Sequence, residues 1–133
     1  MGKAIHDPVP QALEEVAAQV VEAGFRVHRG LGLGLLESVY EVCLCHELSG
    51  LGIPFERQVE RPIEYCGVKL DAGLRIDLWI DRSIIVELKC VEQLLPVHKA
   101  QLLTHMKLTG SRLGFLMNFN TARLKDGIVR MIL

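Results

Sequence analysis

The hydrophobic pattern changes period several times along the chain. Residues 10–29 place Leu13, Val16, Val20 and Val27 at helical spacing behind Pro10, which suits a first turn. A second helix is predicted from Leu35 to Leu48, closed by the glycines of "SGLG". Between them lies "RGLGLG", which follows no strand and is not G-x-G-x-x-G, so it reads as a helix-to-helix connection. Strand-like runs follow near Glu56–Tyr65, Lys69–Asp81 and Ser83–Val91. Pro96 opens a third helix that ends near Gly110, and "RLGFLMNFN" and "GIVRMIL" read as two final strands. Three consecutive strands between helices predict an antiparallel meander in an α/β or α+β layered domain. Repeats, low-complexity stretches and linkers are lacking, so a single domain over residues 1–133 is expected.

Charges interrupt two of these strands. In "RIDLWIDRSIIVELKCVE", residues 75–92, Asp77 breaks one apolar run, and Glu87 and Lys89 break the next. Alternation puts Ile76, Leu78 and Ile80 on one face of the first strand, and Arg75, Asp77 and Trp79 on the other. In the second strand Ile84, Val86 and Leu88 oppose Ile85, Glu87 and Lys89. A three-residue loop at Asp81-Arg82-Ser83 pairs Ile76 with Leu88, Leu78 with Val86 and Ile80 with Ile84. That register gives one wholly apolar face, which burial selects. It also sets Asp77 across from Glu87 and Arg75 across from Lys89, with paired Cβ atoms roughly 5 Å apart. Two carboxylates that close repel unless a cation sits between them, and a hard divalent ion such as Mg²⁺ suits such oxygen ligands. The alternative is a solvated face whose charges neutralise one another. Against it stand Trp79, Ile85 and Val91, apolar residues on the same face that call for cover.

Two helices add polar groups. Tyr40, Leu44 and Leu48 form a stripe on the second helix, and Glu37 precedes Tyr40 by three residues on nearly the same side. Glu37 is either a first-turn residue complementing the helix dipole or a carboxylate aimed at the sheet. On the third helix His98, Gln101 and His105 share a face. A two-His zinc site there has wide spacing and lacks a third His or Cys, so solvated or substrate-facing roles are expected.

Composition narrows the function. Half of the 133 residues are hydrophobic and 23% are charged, as in ordinary globular proteins. Net charge is −1, so a role on nucleic acid has to rest on a local patch or a metal. Cys43, Cys45, Cys66 and Cys90 form no C-x-x-C pair and are expected as reduced thiols. No apolar run reaches membrane-spanning length, and "MGKAIHDPVP" lacks a secretory core, so a cytoplasmic location is expected. His6 stands where N-myristoylation expects Ser or Thr.

"GLLESVY", Gly34-x-x-Glu37-x-x-Tyr40, resembles the signature of the GxxExxY protein family, and the likeness extends through "RIDLWID", "IIVELKCVE", "HKAQLLTHMKLTG" and "LGFLMNFN". That family looks like a branch of the PD-(D/E)XK nuclease superfamily. The resemblance implies a restriction-endonuclease-like α/β core: a helix, a three-stranded antiparallel meander, a helix and further strand, here with an extra N-terminal helix. Asp77 matches the first acidic position and Glu87-Leu88-Lys89 the E-x-K. Glu37 resembles the helix carboxylate that precedes the meander. Gln101 resembles the Gln of Q-x-x-x-Y, with His105 where Tyr is expected, and Ile76 stands where Pro often precedes the Asp. The implied function is Mg²⁺- or Mn²⁺-dependent hydrolysis of phosphodiester bonds in nucleic acid. Asp77, Glu87, the Leu88 backbone carbonyl and Glu37 would be the metal ligands, and Lys89 and Gln101 would complete the catalytic set. The alternatives are an inactive nucleic-acid- or protein-binding module of the same fold, and a subunit of a larger assembly, including a homodimer.

Overall fold

The computed structural model describes residues 7–133, apart from the side chains of residues 71 and 72, so the reading of His6 lies outside the described residues. The chain runs α1 (Gln11–Leu31), α2 (Glu37–Gly50), β1 (Phe55–Tyr65), β2 (Val68–Ile80), β3 (Ile84–Lys89), α3 (Pro96–Thr109), β4 (Leu113–Asn118) and β5 (Ile128–Ile132), with a short 3₁₀ turn at Leu124–Gly127. The element order is the predicted one, and β3 stops at Lys89, short of Val91. One five-stranded sheet has the order β1-β2-β3-β4-β5. β1, β2 and β3 form the antiparallel meander, β4 joins β3 in parallel after the α3 crossover, and β5 returns antiparallel.

Helices cover both sheet faces. Leu78, Ile80, Ile84, Val86 and Leu88 pack with Val20, Tyr40, Leu44 and Leu48 of α1 and α2. Trp79, Ile85 and Leu116 pack beneath Leu102 and Met106 of α3. This second cover answers the choice left by the sequence: Trp79, Ile85 and Glu87 on the charged face of the meander are buried, Asp77 and Lys89 are half-buried, and Arg75 stays exposed. Close packing of α3 depends on Gly114, where a Cβ would lie 2.6 Å from the Met106 sulfur and 2.9 Å from Leu102.

The hairpin register is the predicted one at Ile80↔Ile84 and Leu78↔Val86, but the backbone ladder ends there. The expected Ile76–Leu88 pair on the α1/α2 face does not form. Ile76 instead packs in the α3 cluster with Trp79 and Ile85. Simple alternation fails because β2 reverses its faces at Asp77, the residue between Ile76 and Leu78.

Candidate active site

Asp77 sits at this reversal. Its neighbours point to opposite sides of the sheet, which turns its own side chain toward β3. The Leu88 N–H donates to Asp77 Oδ2 at 2.9 Å, and the Asp77 N–H donates to Glu87 Oε2 at 3.3 Å. These side-chain bonds take over where the β2–β3 ladder stops. Asp77 and Glu87 thus meet, as the sequence predicts, though not through a regular cross-strand pair.

The pair is electrostatically tense. Burial, then repulsion from Glu87 and a hydrogen bond shared with it, pushes the Asp77 carboxyl up to about 8, against a smaller opposing pull from the Leu88 N–H. Around neutral pH, Asp77 therefore retains its proton for much of the time, as expected when two carboxyls share one site. Glu37 opens α2, and its carboxyl pKa is also raised. The protein surrounding it has the largest effect; Lys89 pulls the other way, and Glu41 and Glu87 add repulsion. Although Glu37 is exposed as a residue, its charge is felt by Asp77, Glu87 and Lys89 rather than serving the helix dipole alone.

The α1–α2 turn explains how Glu37 is placed. The Tyr40 hydroxyl donates to the Gly32 carbonyl at 2.7 Å and accepts from the Leu35 N–H at 3.2 Å. Gly32 and Gly34 have φ of 70° and 102°, a region favourable to glycine. Tyr40 is fully buried and stacks on Phe119 at 4.5 Å. The glycine alternation and Tyr40 therefore fix the chain that delivers Glu37.

A cleft of about 230 Å³ brings Arg75, Asp77, Glu87, Lys89, Gln101 and His105 together beside Gly73 and Leu74. Gln101 is exposed at its rim. Larger clefts lie elsewhere, such as that of about 410 Å³ beside Glu56 and Arg82, but those two residues already pair with each other at 3.3 Å.

His105 corrects the expectation of a solvated group, though it lines the cleft. It is buried, and its Nδ1 contacts Glu87 Oε1. His98 instead accepts the Leu95 N–H at 2.9 Å and caps α3, so the two histidines do not form a zinc site. His105→Phe would leave a buried carboxylate oxygen without its partner, costing about 1–3 kcal/mol. Thermal melts should show a Tm lower by roughly 3–10 °C.

Sequence reasoning also missed Glu41. It is buried in α2, where Arg57 grips one oxygen at 2.8 and 3.1 Å and Gln58 donates to the other at 2.6 Å. The i, i+4 spacing from Glu37 was visible, but its β1 partners were not. The four cysteines are free thiols.

The donor chemistry of the cleft suits a hard divalent cation, because two carboxyls in contact are relieved by either a proton or a metal. Among the described residues no three His, Cys, Asp or Glu side chains are grouped as a metal cage. Mg²⁺ ordinarily takes only one or two carboxylates and keeps several waters, so the Asp77–Glu87 pair is an adequate protein contribution.

A profile of the PD-(D/E)XK nuclease superfamily matches residues 14–131. The chain belongs to that superfamily. Its helix–meander–helix–strand order and sheet are those of the restriction-endonuclease-like fold. The crystal structure of SSO0001 is similar in fold, with a TM-score of 0.55 and 23% identity; the match covers 91% of this chain and 55% of that one. This chain thus spans about half the length of SSO0001. No curated protein matches the sequence significantly. Among the described residues no helix is long and apolar enough to cross a membrane.

Proposed function

We propose that residues 1–133 form one nuclease domain of the GxxExxY branch that hydrolyses phosphodiester bonds in nucleic acid with Mg²⁺ or Mn²⁺. The observation that carries this reading is the contact of Asp77 and Glu87 in a cleft shared with Lys89. The branch assignment draws support from the Gly34, Glu37 and Tyr40 arrangement, in which Tyr40 pins the glycine turn ahead of Glu37.

Asp77 and Glu87 would hold the ion, with the Leu88 carbonyl and Glu37 completing its shell. A divalent ion held there would supply the positive charge that acidifies water and stabilises the phosphoryl oxygens. The Lys89 ammonium orients the attacking water and stabilises charge developing on the phosphate. Gln101, at the rim, positions the substrate or braces Lys89. His105 holds Glu87 in place, as partners of metal-binding carboxylates commonly do.

A second reading, a non-catalytic module in a larger assembly or a homodimer, draws on one observation. Leu33, Leu35, Leu36, Val39 and Val42 are exposed around the turn that carries Glu37. The deciding experiment incubates the purified chain with single- and double-stranded DNA and RNA and Mn²⁺ or Mg²⁺. Metal-dependent cleavage should stop with EDTA and in Glu87→Gln. Cleavage indifferent to both, or none on any substrate, would favour the second reading.

A further inference from the structure

Four non-glycine residues among those described have positive φ: Gln58, Cys66, Asp81 and Arg82. Cys66, Asp81 and Arg82 lie in hairpin turns, where such angles are common. Gln58 lies inside β1, with φ of 51°, where nothing about a strand calls for it.

β1 also reverses its faces at this residue. Arg57 reaches Glu41 of α2, whereas Val59, two residues on, packs in the α3 cluster. β2 behaves alike: Leu78 belongs to the α1/α2 core and Ile76 to the α3 cluster. The flanking pairs Arg57↔Leu78 and Val59↔Ile76 put Gln58 opposite Asp77. Both reversals therefore fall on one rung of the sheet. A strand that reverses alone would set apolar residues against the wrong layer, so the two reversals support each other.

The force that holds the rung comes from α2. Both oxygens of the buried Glu41 are occupied by consecutive β1 residues, Arg57 and Gln58. We infer that Glu41 and Gln58 are positioning residues: Glu41 holds Gln58 in its left-handed conformation, and that kink turns Asp77 out of the sheet face to meet Leu88 and Glu87. The geometric claim stands apart from any reaction; its effect on ion binding and turnover rests on the nuclease reading above.

The test uses Gln58→Ala, Gln58→Gly and Glu41→Gln in the full chain. Alanine loses the bond to Glu41 and resists positive φ, whereas glycine loses the same bond but accepts the conformation. The first readout is the NMR shift of the Leu88 amide proton, which donates to Asp77, with Asp77→Ala as the reference for its loss. The second is Mn²⁺ affinity by calorimetry. Gln58→Ala and Glu41→Gln should move the Leu88 resonance toward the Asp77→Ala position and weaken Mn²⁺ binding by roughly tenfold or more. Gln58→Gly should stay near wild type in both, and adding it to Glu41→Gln should restore the resonance. A wild-type Leu88 resonance in Gln58→Ala, or its loss in Gln58→Gly, overturns the inference. A wild type that neither binds Mn²⁺ nor cleaves overturns the nuclease reading, while the Leu88 resonance still decides the role of Gln58.

Discussion

Lys89→Ala is expected to lower phosphodiester turnover by roughly two orders of magnitude or more, the scale of losing one catalytic hydrogen-bond donor. The cleft places Lys89 with Asp77 and Glu87, and its charge pulls against the burial that raises the Glu37 pKa, so its ammonium acts on this site. Asp77 and Glu87 are the proposed ion ligands, and Lys89 is not. Mn²⁺ binding should therefore survive the substitution, or tighten as a nearby positive charge is removed. Lys89→Arg should not restore the rate, because a planar guanidinium does not reproduce a compact ammonium in a cleft of about 230 Å³. Calorimetry with Mn²⁺ and a cleavage time course on the wild type and both variants make the measurement. On the module reading there is no turnover to lose, and Lys89→Ala would only weaken nucleic-acid affinity, by less as salt rises. Full-rate cleavage by Lys89→Ala would remove the role assigned to this residue.

The sequence exposed the site where local rules apply. The register at Ile80↔Ile84 and Leu78↔Val86 follows from the apolar pattern and a three-residue loop, and it sets Asp77 on the strand beside Glu87; the bonds that join them lie beyond the regular ladder. The Ile76 placement did not follow, because it depends on a kink at Gln58 fixed by Glu41, seventeen residues away along the chain. A period-two pattern assumes regular φ and cannot register such a reversal. His105 was legible as a residue on the Gln101 face of α3 but not as the partner of Glu87. That contact needs the close approach of α3 to the sheet at Gly114. Glu37 was legible as an aligned carboxylate, and the glycine turn that delivers it became explicable only once the Tyr40 hydroxyl was placed.

Asp77→Asn should stabilise the metal-free protein at alkaline pH while abolishing divalent-ion binding. The sign follows from the Asp77 carboxyl, whose pKa rises from an ordinary 3.8 to about 8 on folding. The folded state then binds its proton more tightly than the unfolded chain. This stabilising contribution is fully present below about pH 4 and is lost as pH rises toward 8. At pH 8 and above, folding without metal must hold the ionised Asp77 carboxylate, half-buried, against Glu87. Asparagine keeps an oxygen for the Leu88 N–H and an amide donor for Glu87, and it carries no charge. In the variant, the part of the Tm decline between pH 4 and 8 that belongs to Asp77 should disappear. Its Tm at pH 8.5 should exceed the wild type's by roughly 3–8 °C, equivalent to about 1–2 kcal/mol. A divalent ion competes with the same proton, so wild-type Mn²⁺ affinity should rise from pH 6 to 8 with proton release, seen as a buffer-dependent heat of binding. Thermal melts without metal across this range, paired with calorimetry in two buffers, test both halves. A lower Tm for Asp77→Asn at pH 8.5 would instead make Asp77 a structural anion stabilised by its partners, and the trade of stability for ion binding expected at a functional site would be absent.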